Sequence, residues 1–158
     1  MARPSTRIEG LRELEAALAD LPKTTGKNVL GRVLKKAAAA TVADAQSNAP
    51  RDTGGLSASI IVGAKLNGRQ TSLNRQQLKN RSGVEMFIGP SYEKGKGGRH
   101  GHLLEFGTVN MPAQPFMRPA WDANKDAALR TIADDLGSEI EKAAARLARK
   151  AARKAAKG

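Results

Sequence analysis

The sequence contains no cysteine, which excludes disulfide bonds and thiolate chemistry. Aromatic residues make up only 3% of the chain, too few for a platform on which bases of single-stranded nucleic acid stack. Long apolar runs are missing as well, since none approaches the roughly 20 residues that span a bilayer. A secretory signal has an apolar run after its basic residues. The segment MARPSTRIEG has no such run after its arginines. We therefore expect a soluble protein, and 158 residues suit one domain.

Positive charge is abundant and unevenly placed. The chain has 27 Lys and Arg against 15 Asp and Glu, a net charge of +12. Basic residues dominate residues 65–102, and residues 142–158 contain no acid at all. On a helix, the seven cations of this last segment fall within roughly 140° of arc. We expect these regions to contact DNA or an acidic partner, the alternative being a solvated surface without a ligand. The candidate residues are Lys94, Lys96, Arg99, Lys142, Arg146, Arg149, Lys150, Arg153, Lys154 and Lys157.

Hydrophobic periodicity predicts an α+β fold with a small antiparallel sheet. Apolar steps of three and four indicate two N-terminal helices, over residues 8–21 and about 25–46. Two β-rich segments, residues 57–66 and 84–88, predict an antiparallel pair of strands joined by a long loop over residues 67–82. A long helix is expected from near Pro119, a residue type suited to a first turn. We divide the chain into a domain, residues 1–141, and a basic helical extension, residues 142–158.

Catalytic chemistry finds little support in the residue pattern. His100 and His102, spaced as H-x-H, could form a metal site with Glu105 of the two-His-one-carboxylate kind, but the neighbouring loop is strongly cationic. Asp134 and Asp135 point about 100° apart on a helix and do not form an acid–base pair. No nucleophile, base and oxyanion site come together. We expect no enzyme activity, no metal and no cofactor.

The most distinctive segment is HGHLLEFGTVNMPAQPFMRPAW, residues 100–121. It holds three of the five aromatic residues of the chain. Such a concentrated apolar supply suits either the protein's own core or an assembly surface, and we expect both uses. Leu104, Phe106 and Trp121 are expected mainly inside. The candidate interface residues are Leu103, Phe106, Met111, Phe116, Met117 and Arg118.

Two motifs in this sequence carry a resemblance to a known family. NAPRDTGGLSASI at residues 48–60 is similar to one family signature, and HLLEFGT followed by PAQPFMRPAWD is similar to a second. The family is the tail-component or neck family of long-tailed phages typified by gene product ten of phage Hong Kong ninety-seven. The resemblance covers about residues 7–135. It implies an α+β subunit without cofactor or catalysis, in which Thr53 and Gly54 set the turn from helix to sheet. Glu105 is then expected to accept hydrogen bonds from the backbone or Arg118, with Phe116 and Arg118 anchoring the long helix.

The resemblance also implies a place in the virion. Subunits of this kind assemble into a homo-oligomeric ring, with a hexamer expected, at the neck or head-proximal end of the tail. Neighbours would be head-completion or adaptor proteins and tail terminator or tail tube proteins, with nonspecific contact to packaged DNA and no membrane. The protein would be made in the host cytoplasm. Alternatives are a tail terminator, a head-closure ring protein or a nonspecific DNA-binding packaging accessory protein.

Overall fold

A computed structural model of the chain describes residues 11–51, 54–66, 68–77, 83–92 and 97–156. Seven helices and two strands lie within these ranges, and a short 3-10 helix covers Gly97–His100. The helices are α1 Leu11–Ala19, α2 Lys23–Ala37, α3 Ala39–Asn48, α4 Gly55–Ser59, α5 Gly68–Gln77, α6 Gly101–Phe106 and α7 Met117–Ala155; the strands are β1 Ile60–Gly63 and β2 Phe87–Pro90. The expected α+β class, with N-terminal helices, a small antiparallel sheet and a long C-terminal helix, is confirmed.

The first core cluster joins α1 and α2 to the second half of α7. Its buried members are Leu21, Val29, Val33, Leu136, Ile140 and Ala143. The apolar steps of α2 and α7 place these side chains on facing stripes, as the amphipathic pattern predicts. Two ion pairs border the cluster, Arg32 to Glu139 at 2.9 Å and Lys36 to Asp135 at 2.7 Å. The later residue of α2, Lys36, pairs with the earlier residue of α7, Asp135, so the two helices run antiparallel.

The second core cluster lies under the sheet and the start of α7. It is formed by Ala45, Ala49, Leu56, Ile60, Phe116 and Ala120. Phe116 and Ile60, each 0% exposed, are the largest fully buried side chains. Small alanines on α3 and α7 let the helix backbones approach these two residues closely.

The sheet presents two different faces. In the antiparallel register Ile60 pairs with Pro90, Ile61 with Gly89 and Gly63 with Phe87. Because side chains alternate along a strand, Ile60 faces the second core cluster while Ile61 and Phe87 lie on the opposite face. On this opposite face Ile61 remains 41% exposed.

Several expected boundaries differ from the structure. The helix expected over residues 25–46 is two helices that meet at Ala38, although the hydrogen bonds from Ala38 N–H to the Leu34 carbonyl and from Val42 N–H to the Ala38 carbonyl continue across the junction. Helix α2 packs in the first core cluster through Val29 and Val33, and α3 packs in the second through Ala45. The strand expected over residues 57–66 is only four residues long, because Gly54, with φ of 75°, starts the short helix α4.

The second strand and the connecting loop also differ. The strand lies at Phe87–Pro90 rather than residues 84–88, and residues 68–77 of the expected loop form α5. Helix α5 has no apolar stripe, so periodicity could not reveal it. Polar contacts border it instead: the Thr71 hydroxyl donates to the Leu66 carbonyl at 3.3 Å, and the Asn74 amide donates to Glu85 at 3.2 Å. Among the described residues, no helix has both the length and the apolar character needed to cross a membrane.

Candidate assembly surface

The geometry of residues 101–118 centres on one carboxylate. Glu105 is on α6 and its side chain is only 7% exposed. Its Oε2 accepts hydrogen bonds from the backbone N–H groups of Phe116 at 2.8 Å and Met117 at 2.9 Å. Its Oε1 accepts from the backbone N–H of Arg118 at 3.1 Å and from the Arg118 Nε at 3.0 Å. The expectation that Glu105 accepts hydrogen bonds from the backbone or Arg118 is confirmed for both donors.

These bonds satisfy the N-terminus of α7 completely. A helix leaves its first four N–H groups without intrahelical partners. Here Phe116 is the capping residue, Met117 and Arg118 follow, and Pro119 is fourth. Glu105 accepts from the first three, and proline has no N–H to satisfy. Glu105, which lies on another helix, thus caps α7 in the way that a Ser or Asp side chain usually does. Its negative charge is also favourable at the positive end of the helix dipole.

The pKa of Glu105 reflects this environment. Burial of the carboxylate raises its pKa, while the hydrogen bonds from Met117, Phe116 and Arg118 lower it. The hydrogen bonds together outweigh burial, so the pKa lies below that of an ordinary glutamate. The carboxylate is therefore charged at neutral pH.

The loop between α6 and α7 is fixed by backbone contacts. Gly107 has φ of 76° and ψ of 178°, a conformation that is essentially restricted to glycine. A β-carbon there would lie 2.8 Å from the Ala113 nitrogen and 2.9 Å from the Met111 oxygen. Thr108 and Met111 form an isolated β-bridge, and Gln114 N–H donates to the Leu104 carbonyl at 2.7 Å. The chain therefore returns to Glu105 along one defined path.

Arg118 links this loop to an exposed aromatic ring. Its Nη2 donates to the Glu105 carbonyl at 2.9 Å, and its guanidinium lies over the Phe106 ring, 5.3 Å from the ring centroid. Phe106 itself is 70% exposed. The cation–π contact orients the ring without covering it.

An open groove of about 630 Å³ lies between this loop and the outer face of the sheet. Ile61, Gly63, Phe87 and Gly89 of the sheet form one side and Phe106, Met117 and Arg118 the other, and Leu66 and Gln70 also line it. Apart from Glu105, the charged or basic residues that line it among those described are Lys65, His102 and Arg118. The groove is thus apolar with a basic rim.

The few aromatic residues of the chain are concentrated here. Four of the five line the groove, and Trp121 follows Met117 by one helical turn. Phe106, Trp121 and Tyr92 are 70%, 51% and 46% exposed. Aromatic side chains, methionine and arginine are the residues enriched at protein–protein contacts. This arrangement is therefore a candidate assembly surface, which we call the aromatic groove.

The structure places the six candidate interface residues in different environments. Phe106, Met117 and Arg118 line the aromatic groove. Leu103 and Met111 are half-buried away from it. Phe116 is fully buried in the second core cluster and also contributes to the lining of the groove, so its interface role stays a prediction. The expectation that Phe106 and Trp121 lie mainly inside is wrong, because the space under the sheet is already filled by Phe116 and Ile60.

In the metal site considered as an alternative, Glu105 is already engaged in other contacts. Both oxygens of Glu105 are bonded to the α7 terminus, whereas the side chains of His100 and His102 are exposed. Within the described ranges, no group of three His, Cys, Asp or Glu residues is arranged to hold a metal ion.

The predicted cationic residues fall into two separate places. Arg99 is exposed in the 3-10 helix before α6. Six others lie on the last turns of α7, which runs without interruption across the expected domain boundary at residue 141. These are Lys142, Arg146, Arg149, Lys150, Arg153 and Lys154, all exposed. Lys94, Lys96 and Lys157, and also Thr53, lie outside the described residues.

Sequence reasoning missed the sheet side of the aromatic groove. Ile61, Phe87 and Tyr92 were not among the candidates, yet they supply much of its apolar surface. The sequence did contain an indication of this surface. Strand alternation puts Ile88 on the core face of the sheet and Phe87 on the opposite face, which is expected to be solvated in a two-layer fold. An apolar residue there indicates an uncovered surface.

The sequence matches one family model over residues 12–107, more than half of the chain. The family is HK97-gp10-like, with the description "Bacteriophage HK97-gp10, putative tail-component". No curated protein and no solved structure shows a significant match. The chain belongs to this HK97-gp10-like family of bacteriophage tail components.

Proposed function

We propose that this HK97-gp10-like chain is a structural subunit that forms a ring at the neck of a long-tailed phage and joins the tail to the DNA-filled head. The observation that carries the proposal is the aromatic groove. A chain with five aromatic residues places four of them around one open groove and leaves two of these, Tyr92 and Phe106, largely exposed. An exposed apolar surface of this kind marks a contact site on a soluble subunit.

The shape of the groove suits contact between subunits in a ring. Closed rings are built from heterologous contacts, in which one surface of a subunit meets a different surface of the next. A concave apolar groove with a basic rim cannot match itself and requires a convex partner. We expect the ring to be a hexamer, as the family resemblance implies. Its neighbours would be a head-completion or adaptor protein on one side and a tail terminator or tail tube protein on the other.

A structural role also agrees with how Glu105 is used. In many enzymes a buried carboxylate with a shifted pKa acts as acid or base. Here the shift is downward and both oxygens hold the start of a helix. The residue serves the shape of the groove, and we propose no catalysis.

Electron microscopy of particles from the phage that carries this gene, with the gene deleted, tests the proposal. DNA-filled heads and separate tails that fail to join are the expected result. Abnormally long tails would show a tail terminator instead. Empty heads with normal tails would favour the head-closure or packaging accessory role, and normal infectious particles would refute a part in assembly.

Surface variants test the role of the aromatic groove itself. Combined Ile61→Thr and Tyr92→Ser substitutions should leave the thermal midpoint nearly unchanged, because both residues are substantially exposed, but should reduce assembly of the ring. Val109→Ser is the matched control, since Val109 is fully exposed and does not line the groove. Oligomer size by light scattering and complementation of the deleted gene are the measurements. Equal behaviour of the groove variant and the control would contradict the assignment of the groove as the contact site.

A further inference from the structure

The face of α7 that carries its apolar stripe becomes basic near the C-terminal end of the helix. Ile132, Leu136, Ile140, Ala143 and Leu147 follow one another at steps of three and four and pack in the first core cluster. The next positions on the same face, three and seven residues beyond Leu147, are Lys150 and Lys154. Lysine is almost never buried without a partner. The helix therefore stops packing on the body after Leu147, and residues 148–156 are all exposed.

This end of α7 carries positive charge that is largely unpaired among the described residues. No acidic residue follows Glu141 in the sequence, whereas six Lys and Arg lie between residues 142 and 156. Lys142 pairs with Glu139 at 3.1 Å. The other five form no ion pair with any described residue. We call these five residues, Arg146, Arg149, Lys150, Arg153 and Lys154, the cationic end.

The arrangement costs helix stability. Like charges four residues apart destabilise a helix by about 0.2–0.5 kcal/mol per pair. Three such pairs, Arg146 with Lys150, Arg149 with Arg153 and Lys150 with Lys154, lie within the cationic end. The helix dipole favours cations only in the last turn, which accounts for Arg153 and Lys154 but not for the others. A bound polyanion would relieve the repulsion.

We propose that the cationic end of α7 binds the phosphate backbone of duplex DNA without sequence preference. The residues between its cations are mainly alanine, and it has no aromatic residue. An interfacial membrane helix needs large apolar side chains opposite its charges, and the core of a protein–protein interface is enriched in aromatic residues and methionine, which residues 146–154 lack. Both observations disfavour membranes and proteins as the ligand. They leave nucleic acid phosphates, which lysine and arginine contact through charge alone.

Dimensions agree with this ligand. Residues 146–154 span about 12 Å of helix axis at 1.5 Å per residue. Duplex DNA carries one charge per about 1.7 Å of its axis, so several phosphates lie within reach of the five cations. Bidentate base contacts in the major groove come from Arg, Lys, Asn or Gln held at defined positions, whereas residues 148–156 of this helical end are all exposed. Contacts to phosphates are therefore expected, not readout of bases.

Salt dependence of binding tests the proposal. The full-length protein is titrated with a short duplex of random sequence between about 50 and 200 mM salt. A triple variant, Lys150→Gln, Arg153→Gln and Lys154→Gln, should lower the slope of log K against log salt by roughly two to three, since each phosphate contact contributes about 0.9. Glutamine keeps helix propensity close to that of lysine and arginine.

A second triple variant provides the control of equal charge. Lys35→Gln, Lys125→Gln and Arg130→Gln removes three exposed cations elsewhere on α2 and α7 and should leave the slope nearly unchanged. Equal losses in the two variants would show that net charge alone governs binding and would overturn the proposal, as would a slope unchanged in the first variant. Binding of poly-glutamate or of anionic vesicles as tightly as duplex DNA would overturn the choice of ligand. The proposal does not depend on ring formation, so its failure leaves the proposed function standing.

Discussion

Glu105→Gln isolates the charge that holds the start of α7. The substitution keeps the volume of the side chain but leaves one acceptor oxygen in place of two. In the wild-type protein, two backbone N–H groups donate to Oε2, and one backbone N–H and the Arg118 Nε donate to Oε1. In the variant, the amide nitrogen must face N–H donors on one of these sides. At least two donors then lose their acceptor in a site that is largely closed to water.

The magnitude follows from these contacts. A hydrogen bond to a charged group contributes about 1.5–3 kcal/mol, and loss of a helix N-cap costs about 0.5–2 kcal/mol. These contributions overlap, and the Arg118 side chain is 58% exposed, so its share is screened by solvent. We expect the free energy of unfolding to fall by about 2–3 kcal/mol. For a chain of this size that corresponds to a decrease in thermal midpoint of roughly 4–12 °C.

The effect should depend on pH in a definite direction. The pKa of Glu105 is lower in the folded state than in the unfolded chain, so the unfolded state binds the proton more tightly. The stabilisation by Glu105 is complete above the unfolded value of about 4.3 and is lost as pH falls through the lower folded value. Wild type should therefore approach the Gln variant in stability as the solution is acidified below about pH 4.

Urea unfolding of both proteins, followed by circular dichroism at several pH values, measures the difference. Glu141→Gln is the matched control, since Glu141 is an exposed glutamate on α7, the helix that Glu105 caps. It should change stability by less than about 0.5 kcal/mol. A Glu105→Gln penalty as small as that of the control, or one that stays constant from neutral pH into acid, would refute the capping role.

The remaining predictions concern backbone conformation and a buried hydroxyl. Gly107→Ala should destabilise the fold by more than about 1 kcal/mol, because the new β-carbon meets backbone atoms at a positive φ. Gly31→Ala, in the interior of α2 with no atom near the new β-carbon, should instead stabilise the fold by about 0.5–1 kcal/mol. Changes of opposite sign in the free energy of unfolding, measured with urea, would confirm both predictions, and changes of equal sign would contradict them. Thr41→Val should be neutral or stabilising by up to about 1 kcal/mol, since the Thr41 hydroxyl is buried without a hydrogen-bond partner among the described residues. A clear loss of stability in the same assay would show that this hydroxyl has a partner.

Periodic segments were predictable from the sequence because their burial follows one helical face. The α2 and α7 stripes, including Val33 and Leu136, are of this kind. Helix α5 was not, since its sequence has no apolar stripe. The short β1 strand was overestimated because Ile60 and its neighbours have high β propensity, while the positive φ of Gly54 starts a helical turn just before them. Local propensity does not decide such boundaries.

The candidate site was predictable in its chemistry but not in its exposure. Sequence reasoning concentrated on residues 100–121 and foresaw the bonds of Glu105. It could not foresee that Phe116 takes the buried position and Phe106 the exposed one, since both are phenylalanines beside glycine or proline, at the two ends of the same loop. That choice depends on which side of the sheet each ring reaches. The sheet pairs residues that lie up to 30 positions apart, such as Ile60 and Pro90, and this register cannot be read from the segment itself.

Phe116 shows why the fold and the aromatic groove cannot be separated. Its backbone N–H is held by Glu105, and its buried side chain belongs both to the second core cluster and to the lining of the groove. The next two residues, Met117 and Arg118, are capped by the same carboxylate and line the groove as well. One buried charge therefore fixes the helix start, the loop path and the position of the contact residues together. The EFG and PFMRP segments of the sequence are thus one structural unit, in which the conditions for folding α7 are also the conditions for presenting the surface that we propose for assembly.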